Sequence, residues 1–434
     1  MLKHLFQLPE HINASTFKRK ALHWASSFER TAYYDNNEYN SNKYSRYESL
    51  IAAGAEQVLE LNAGEDAFGN LENFLKENSE KWTFGYFGYD LKNELENLNS
   101  ANLGELGASD LSFFVPQHLV ILNKDCLTIE IKSKYPKKIW AEILLTEAVV
   151  ESVPEKLGEI KQRINKEDYL KTVKCLKQHI IEGDIYELNF CQEFYCENAE
   201  LNPVKLFARL NRLSPTPFSA YYRSKNQHVL CASPERFLYK SGAKVVSQPI
   251  KGTIRRAEDI IEDEKLKSIL LNSEKDRAEN VMIVDLVRND LARCAEIGSV
   301  SVEELFGVYP FRQVWQMIST ISGKLDKKND GLSTIKAAFP PGSMTGAPKI
   351  ISMQLIEQYE QSRRGVYSGV LGYFSPDGDF DFNVVIRSMF YNSENKYLSF
   401  QTGGAIVYDS DPEKEYEECL LKAKGMRLAL NVEY

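Results

Sequence analysis

A short turn between two apolar segments is the feature that most constrains the fold. Residues 369–374 and 380–388 are rich in β-branched and aromatic side chains, and Pro376-Asp377-Gly378-Asp379 separates them. Such side chains favour strands, whereas Pro, Asp and Gly favour tight turns. The pattern therefore predicts a β-hairpin, in which the two strands are antiparallel.

Other segments predict a mixture of strands and helices. Further strands are predicted at residues 229–232, 244–247 and 397–401. Asn165 is a suitable N-cap for a helix whose apolar residues recur at helical spacing until Gly183 ends it. The sequence therefore predicts an α+β protein with a large, mostly antiparallel sheet system.

Composition argues against several functional classes. The formal net charge of the 434-residue chain is −8, which does not suit a nucleic-acid-binding surface. No apolar segment is long enough for a signal peptide or a membrane span, so we expect a cytoplasmic protein without membrane or nucleic-acid partners. The seven cysteines are scattered and form no CxxC pair, so neither a disulfide framework nor a zinc site is predicted.

A charged segment indicates how the chain is divided. Residues 151–163 contain Pro154 and Gly158 and predict a linker or an exposed helix. We therefore expect an N-terminal domain over residues 1–150 and a catalytic domain over residues 164–434.

Lys251 and Glu235 are the residues with the clearest chemical potential. Lys251 lies in a predicted strand and is followed by Gly252-Thr253, where the backbone can approach a ligand closely. Glu235 precedes it by sixteen positions. A carboxylic acid and an amine held together by neighbouring segments would form a proton donor and a nucleophile at one site. The alternative is an ordinary strand lysine that points to solvent.

Two predicted helices carry acidic residues at helical spacing. Asp276 and Glu279 share one face of the first helix, whereas Glu415, Glu418 and Lys422 share a face of the second. Two carboxylate pairs brought together would form an oxygen-rich site suited to Mg²⁺. The alternative is two solvated helix faces with intrahelical ion pairs.

Candidate anion-binding groups lie in the last third of the chain. Arg387 ends an apolar strand, where its planar guanidinium suits a carboxylate. Tyr367 adds a hydroxyl, and Gly403-Gly404 predicts successive amides in an anion nest. The loop at residues 340–349 lacks the Lys-Ser/Thr pair of a phosphate-binding loop, so we expect it to present Thr345 and a backbone amide to a ligand. An ion pair, a core tyrosine and a tight turn are the structural alternatives.

Together these segments resemble the chorismate-utilising enzymes, the family that includes anthranilate synthase component I. The resemblance is dense over residues 165–430 and fainter over TFGYFGYDLKNELE at 83–96. Its motifs occur in order and are unusual in composition. They are GDIYELNF at 183–190, SPERF at 233–237, PIKGTIRR at 249–256, KDRAENVMIVDLVRND at 275–290, FPPGSMTGAPK at 339–349, RRGVYSG at 363–369, VVIRS at 384–388 and TGGAIVYDSDPEKEYEE at 402–418.

The resemblance implies an anthranilate-synthase-like fold, with a large, mostly antiparallel two-sheet core, outer helices and an active site between the sheets. It implies that residues 164–434 bind chorismate and use Mg²⁺ as cofactor. Glu279 and Glu418 would bind the metal, with Asp276 and Glu415 as water-mediated partners. The groups expected to contact the substrate are Gly252, Thr253, Thr345, Tyr367, Arg387, Gly403, Gly404 and Lys422.

The resemblance also implies a role for Lys251. Aminodeoxychorismate synthases typically carry lysine at this position, where anthranilate and isochorismate synthases carry alanine. Lys251 would add to ring C2 of chorismate while Glu235 protonates the leaving C4 hydroxyl. Ammonia, supplied by a separate glutamine amidotransferase subunit, would then attack C4 and give 4-amino-4-deoxychorismate for para-aminobenzoate and folate synthesis. Because a nucleophilic amine must be neutral, the site is expected to lower the lysine pKa from about 10.4, by desolvation or by nearby positive charge such as Mg²⁺.

Two positions depart from the family pattern, and one N-terminal segment matches it only in part. Glu187 stands where members usually have glutamine and Gln316 where many have histidine, and no role is predicted for either. Tyr47-Glu48-Ser49 only hints at the family's N-terminal regulatory pocket for tryptophan. Two other functions stay open. They are anthranilate synthase component I, which Lys251 disfavours, and an inactive chorismate-binding scaffold, which the clustered charges disfavour.

Overall fold

A computed structural model describes residues 1–39 and 42–432 of the chain. Eleven α-helices lie within these residues, and none of the eleven is both long and apolar enough to cross a lipid bilayer. They are Ala14–Ala25 (α1), Ala67–Glu77 (α2), Lys92–Leu95 (α3), Pro136–Leu145 (α4), Lys166–Glu182 (α5), Pro203–Leu213 (α6), Ile260–Leu271 (α7), Glu274–Ala292 (α8), Gly331–Ala338 (α9), Lys349–Tyr359 (α10) and Pro412–Leu430 (α11).

The same described residues contain twenty β-strands. They are Leu2–Gln7 (β1), Arg30–Asp35 (β2), Tyr47–Leu61 (β3), Thr83–Phe87 (β4), Leu111–Asn123 (β5), Thr128–Ser133 (β6), Lys161–Gln162 (β7), Glu187–Cys196 (β8), Phe218–Ser224 (β9), Gln227–Ser233 (β10), Arg236–Ser241 (β11), Lys244–Gln248 (β12), Ile250–Arg255 (β13), Ser301–Pro310 (β14), Val314–Lys324 (β15), Gly346–Ala347 (β16), Val370–Phe374 (β17), Phe380–Val384 (β18), Ser388–Asn392 (β19) and Tyr397–Ile406 (β20).

The strand pairings are antiparallel throughout this part of the chain. The predicted hairpin consists of β17 and β18, whose register pairs Val370 with Val384 and Phe374 with Phe380. The predicted α+β class with a mostly antiparallel sheet is therefore confirmed.

The strands form one hydrogen-bonded network with two halves. One half has the order β1–β6–β5–β3–β2–β9–β10–β19–β20–β8, and the other has the order β5–β4–β17–β18–β11–β12–β15–β14, with β13 also paired to β15. Both halves share β5, because its residues 111–114 pair with β4 whereas its residues 119–122 pair with β6. The two halves of the expected two-sheet core are thus continuous, because β5 is long enough to pair with strands of both.

The two predicted domains contribute strands to this single network. In the N-terminal part, β2 pairs with β9 and β4 pairs with β17. The intervening residues 151–163, all of them described, form no helix and contain only the short strand β7. The predicted boundary therefore lies in an irregular segment, and a separate folding unit over residues 1–150 stays a prediction.

Helix positions determine which side chains reach the space between the halves. Helix α5 begins after Asn165, whose side chain accepts a backbone hydrogen bond, and ends at Gly183 as predicted. Helix α11 begins after Asp411, which caps it in the same way, and has Pro412 in its first turn. Helix α11 packs on β20, whereas α8 packs on β13 and β15. The acidic residues of α8 and α11 therefore come from opposite halves of the network.

Candidate active site

Lys251 lies on β13 with its side chain largely buried. Its Nζ donates a hydrogen bond to Glu187 Oε1 on β8, at 2.6 Å. Burial opposes the charged ammonium, but the carboxylates of Glu187, Glu279 and Glu235 together raise the pKa of Lys251. Desolvation alone therefore does not lower this pKa, because local sequence did not reveal how many carboxylates surround the amine, and a lowering by Mg²⁺ stays a prediction.

Glu235 is a buried carboxyl group in the turn between β10 and β11. Its Oε1 accepts a hydrogen bond of 2.6 Å from Ser343 Oγ. Burial raises the pKa of Glu235 to about 7, although Ser343 and Lys251 favour its ionised form. A carboxyl group with this pKa can hold a proton near neutral pH and release it, as a general acid must.

The loop at residues 340–349 contributes a different residue from the one predicted. Thr345 is fully buried, and its hydroxyl donates to the carbonyl of Gly342 at 3.1 Å. Its backbone amide also donates to Gly342 within the loop. The tight loop therefore uses both groups internally, and a contact of Thr345 with substrate stays a prediction. Ser343 is the loop residue that reaches the site, and it was missed because nothing in its sequence context distinguishes it.

A cleft brings together three of the predicted substrate-binding residues. Thr253, Arg387 and Lys422 line a cavity of about 640 Å³, and Gln316 lines it beside them. The buried Oε1 of Gln316 has no hydrogen-bond partner within residues 1–39 and 42–432. The amide therefore leaves one unsatisfied acceptor beside the cleft.

Glu235 borders a neighbouring, smaller cavity of about 320 Å³, together with Ser343 and Pro249. Thr253, four residues after Pro249, lines the larger cleft. Lys251 lies between these two positions on β13. Lys251 is therefore flanked along the chain by Pro249 of the smaller cavity and Thr253 of the larger cleft.

Arg387 is placed in the cleft by an unusual backbone conformation. Its φ is +53°, in the left-handed region, which interrupts the predicted strand 380–388 between β18 and β19. Burial lowers the pKa of its guanidinium, and in the described part of the chain no carboxylate lies within ion-pair distance of it. Tyr367, which precedes β17, is buried with its hydroxyl 3.4 Å from Cys191 Sγ. A half-buried guanidinium without an acid partner is suited to an anionic ligand.

Two of the predicted metal ligands lie together on α11. A Cβ atom built on Gly404 would lie 3.2 Å from Glu415 Oε2 and 3.4 Å from Glu418 Oε1. Lys422 Nζ is 2.7 Å from Glu418 Oε1 and lowers the pKa of that carboxyl group. Ser410 donates to Glu415 at 2.7 Å, and burial raises the pKa of Glu415.

The other two predicted ligands lie on α8. Burial raises the pKa of Glu279, and the nearby Asp276 raises it further. Lys251 and Lys275 act in the opposite direction. Lys275 also acts electrostatically on Glu415 and Glu418 of α11. The carboxylates of both helices therefore face a shared space.

These four carboxylates do not form a compact cluster. Among the described residues, only two sets of three have ligand atoms that all lie within 4.8 Å of one another, and both lie elsewhere. They are Glu38, Glu48 and Cys126, and His179, Glu182 and Asp184. A metal bound by Glu279 and Glu418 would therefore have to draw the two helices' side chains together.

The glycines of the site act through close packing. Gly252 has φ +96°, and a Cβ atom there would lie 3.1 Å from Asp276 Cβ, so glycine lets β13 approach α8. Gly403 and Gly404 continue strand β20 and pair with Cys191 and Phe190. The predicted anion nest is therefore wrong, because successive amides of a strand point in opposite directions. A role for these glycines in binding substrate stays a prediction.

Comparison with known proteins agrees with this arrangement. The family model for chorismate binding enzymes matches residues 29–427. Aminodeoxychorismate synthase component 1 of Bacillus subtilis is 32% identical over 362 residues, which are 80% of this chain and 76% of that protein. Anthranilate synthase component 1 of Cereibacter sphaeroides is 32% identical over 366 residues, which are 80% of this chain and 73% of that protein.

A solved structure extends the agreement to the fold. The crystal structure of anthranilate synthase component I from Streptococcus pneumoniae has a TM-score of 0.77 and 27% identity, and the match covers 88% of this chain and 92% of that one. The expected anthranilate-synthase-like fold is therefore confirmed. The family match also spans both halves of the strand network, including Glu235, Lys251 and the carboxylates of α8 and α11. The chain therefore belongs to the family of chorismate-binding enzymes.

Proposed function

We propose that the chain aminates chorismate with ammonia to form 4-amino-4-deoxychorismate. The observation that carries the proposal is the placement of a buried amine beside a buried carboxylic acid. Lys251 and Glu235 act on each other electrostatically, and Glu235 has a pKa of about 7. The similarity to aminodeoxychorismate synthase component 1 of B. subtilis supports the same reaction.

Glu235 and Lys251 have complementary roles in this reaction. The neutral amine of Lys251 forms a bond to ring C2 as the double bond shifts and the C4–O bond breaks. Glu235 gives its proton to the departing hydroxyl, which leaves as water. Ammonia then forms the C4–N bond while the bond between C2 and Lys251 breaks. The new ammonium group returns a proton to Glu235, so that both residues regain their starting form.

The cleft supplies charges that suit chorismate, which carries two carboxylates. Arg387 and Lys422 line it as cations, and Thr253 adds a hydroxyl. Arg387 is half-buried and has no acid partner in the described chain, so a substrate carboxylate would pair with it. Lys422 already donates to the carbonyl of Gly403 at 2.8 Å, which fixes its position at the edge of the cleft.

The carboxylates of α8 and α11 fit Mg²⁺ by their chemistry. Glu279 and Glu418 would hold the ion, with Asp276 and Glu415 beside them, because hard cations prefer carboxylate oxygens. Lys275 faces carboxylates on both helices, so positive charge between them is already favoured. When bound, Mg²⁺ would neutralise a carboxylate of the substrate.

We infer that ammonia comes from a separate glutamine amidotransferase subunit. An amidotransferase of the triad type needs an activated cysteine thiolate. Burial instead raises the pKa of Cys191 to about 12 and those of Cys231 and Cys294 to about 11. These thiols suit packing within the core.

The direct test is to identify the product. The purified chain is supplied with chorismate, Mg²⁺ and ammonium, and the products are analysed by mass spectrometry. We expect 4-amino-4-deoxychorismate. Anthranilate as the product would instead assign the activity of the C. sphaeroides relative, and unchanged chorismate would indicate a binding protein.

A second reaction tests the source of ammonia. Glutamine replaces ammonium, and no other protein is added. We expect no glutamate, because the chain is proposed to depend on its partner subunit for glutamine hydrolysis. Sustained release of glutamate would contradict this part of the proposal.

A further inference from the structure

Glu187 is the nearest residue to the reactive amine, and the reaction described above gives it no role. It begins strand β8 and is only 1% exposed. Its Oε1 accepts the 2.6 Å hydrogen bond from Lys251 Nζ. Its Oε2 is buried and has no hydrogen-bond partner among the residues that the structure describes.

The ion pair between Lys251 and Glu187 is not an efficient means of stabilising the fold. A buried ion pair recovers the cost of desolvation only when its remaining lone pairs are also hydrogen bonded. Glutamine, which has nearly the same shape, would accept the same hydrogen bond without burying a negative charge. The carboxylate at residue 187 therefore has a functional explanation in preference to a structural one.

We propose that Glu187 is the proton acceptor that converts Lys251 into a neutral nucleophile. This inference rests on the proposed function and adds a step to it. The Nζ–H bond breaks and an O–H bond forms on Glu187 Oε1, so an ion pair becomes an amine and a carboxylic acid. The lone pair freed on Nζ then forms the bond to C2. When ammonia expels Lys251 from the ring, the amine takes the proton back from Glu187.

Exclusion of water by the substrate favours this transfer, whereas the carboxylates around Lys251 oppose it. Glu279, Glu235 and Glu418 also act electrostatically on Lys251, but only Glu187 accepts a hydrogen bond from it within the described chain. A substrate in the cleft excludes water, and the cost of keeping two charges buried then rises. Proton transfer along the existing hydrogen bond removes both charges without passing a proton to solvent.

The test measures the step at Lys251 itself. Wild type and Glu187→Gln are mixed with chorismate and Mg²⁺ without ammonium, quenched at short times and examined by mass spectrometry for the adduct on Lys251. Glu155→Gln removes an exposed carboxylate and is the matched control. Lys251→Ala is the blank for the position of the adduct.

At neutral pH we expect Glu187→Gln to form the adduct at least about tenfold more slowly than wild type. The ratio of the variant rate to the wild-type rate should rise with pH, because only the variant must lose the lysine proton to solvent. Equal or faster adduct formation by Glu187→Gln at neutral pH would overturn the inference. A wild-type rate that rises tenfold per pH unit below neutrality would overturn it as well, and this measurement needs no variant.

The same experiment separates this inference from the proposed function. A wild-type adduct that gives no amine when ammonium is added would refute the amination but leave the role of Glu187 supported. An absence of adduct in wild type would refute both, because Lys251 would then not be a nucleophile.

Discussion

Lys18 and Lys251 are both buried beside carboxylates, but their partners are satisfied to different degrees. Lys18 Nζ lies 2.8 Å from Asp35 Oδ1 and 2.7 Å from Glu48 Oε1. The other oxygen of Asp35 accepts from the Tyr33 hydroxyl, and the other oxygen of Glu48 accepts from Asn36. Lys251 has one hydrogen-bonded carboxylate, and one oxygen of that carboxylate is buried without a partner in the described chain.

We interpret the difference as that between a structural ion cluster and one suited to the proposed reaction. The hydrogen bonds around Lys18 tie α1 to β2 and β3 and fix all its partners. A fully satisfied cluster resists rearrangement, whereas an incompletely satisfied one has capacity for a ligand or a proton. Asp35, Tyr47, Glu48 and Ser49 also line a cavity of about 450 Å³, although its regulatory role stays a prediction.

Removing the reactive lysine should have the largest effect on activity. We expect Lys251→Ala to lower the rate of 4-amino-4-deoxychorismate formation by at least about 10³-fold, because the covalent step is lost. Because Glu187 is left as a single buried carboxylate that can neutralise itself by taking up a proton, the free energy of unfolding should fall by less than on removal of Lys18, which leaves two. Product mass spectrometry and urea unfolding together check both halves of this expectation. Full wild-type activity in the variant would show that Lys251 is not the nucleophile.

Removing the structural lysine should have the opposite consequence. Lys18→Met leaves Asp35 and Glu48 buried without their cation, so we expect a loss of about 3–5 kcal/mol in the free energy of unfolding. The folded fraction should keep its specific activity. Urea unfolding of Lys18→Met and Lys251→Ala compares the loss in the free energy of unfolding between the two variants. Similar losses of stability in the two variants would mean that the two lysines do not differ as described.

The sequence was sufficient for features that local patterns encode. The turn at Pro376-Asp377-Gly378-Asp379 correctly predicted the antiparallel pairing of β17 with β18. The spacing of Glu415 and Glu418 placed both on one face of α11, because helical geometry depends on sequence separation alone. Resemblance to the family then brought α8 and α11 into one hypothesis, which no local pattern could have done.

Tertiary contacts account for what sequence could not provide. Ser343 and Glu187 reach the site from segments far from Glu235 and Lys251 in sequence, and neither lies in a pattern that indicates its partner. At Gly403 the sequence suggested a feature that the structure does not have. Glycine there suggests a turn, but a Cβ atom would lie 1.9 Å from the carbonyl oxygen of Phe190 on the neighbouring strand. Only the packing of β8 against β20 explains why that strand contains glycine.

The pH dependence of the rate tests the acid that accompanies the reactive lysine. Burial raises the pKa of Glu235 to about 7, so the protonated form that the proposed reaction requires is lost as pH rises through that value. We therefore expect the wild-type rate to fall above pH of about 7, by up to tenfold per unit. Glu235→Gln should be about a hundredfold slower at neutral pH and lack this decline. A decline of the same shape in the variant would assign it to another group.

Linkage gives the same carboxyl group a measurable effect on stability. Folding raises the pKa of Glu235 from 4.5 to about 7, so the folded state holds a proton that the unfolded state has released between these values. Protonation of Glu235 therefore contributes about 3 kcal/mol to the free energy of unfolding below about pH 4.5. This contribution is lost as pH rises toward 7. Urea unfolding across this range in wild type and Glu235→Gln isolates the contribution. Identical pH dependence in both proteins would contradict the assigned pKa.

The smallest expected effect concerns the carboxylates that surround the reactive lysine from α8 and α11. Glu279→Gln and Glu418→Gln should each raise the Mg²⁺ concentration needed for half-maximal activity by about tenfold, because a neutral amide oxygen binds a hard cation less well. Glu417→Gln removes an exposed carboxylate from the same helix and should leave the titration unchanged. Calorimetric titration of the free protein with Mg²⁺ supplies a readout that does not depend on turnover.

Because Lys275 faces carboxylates on both helices, Lys275→Met should strengthen Mg²⁺ binding, which is the opposite of the effect of the glutamine variants. Unchanged affinity in both glutamine variants would place the metal elsewhere and leave these carboxylates as the counter-charges of Lys251 and Lys422.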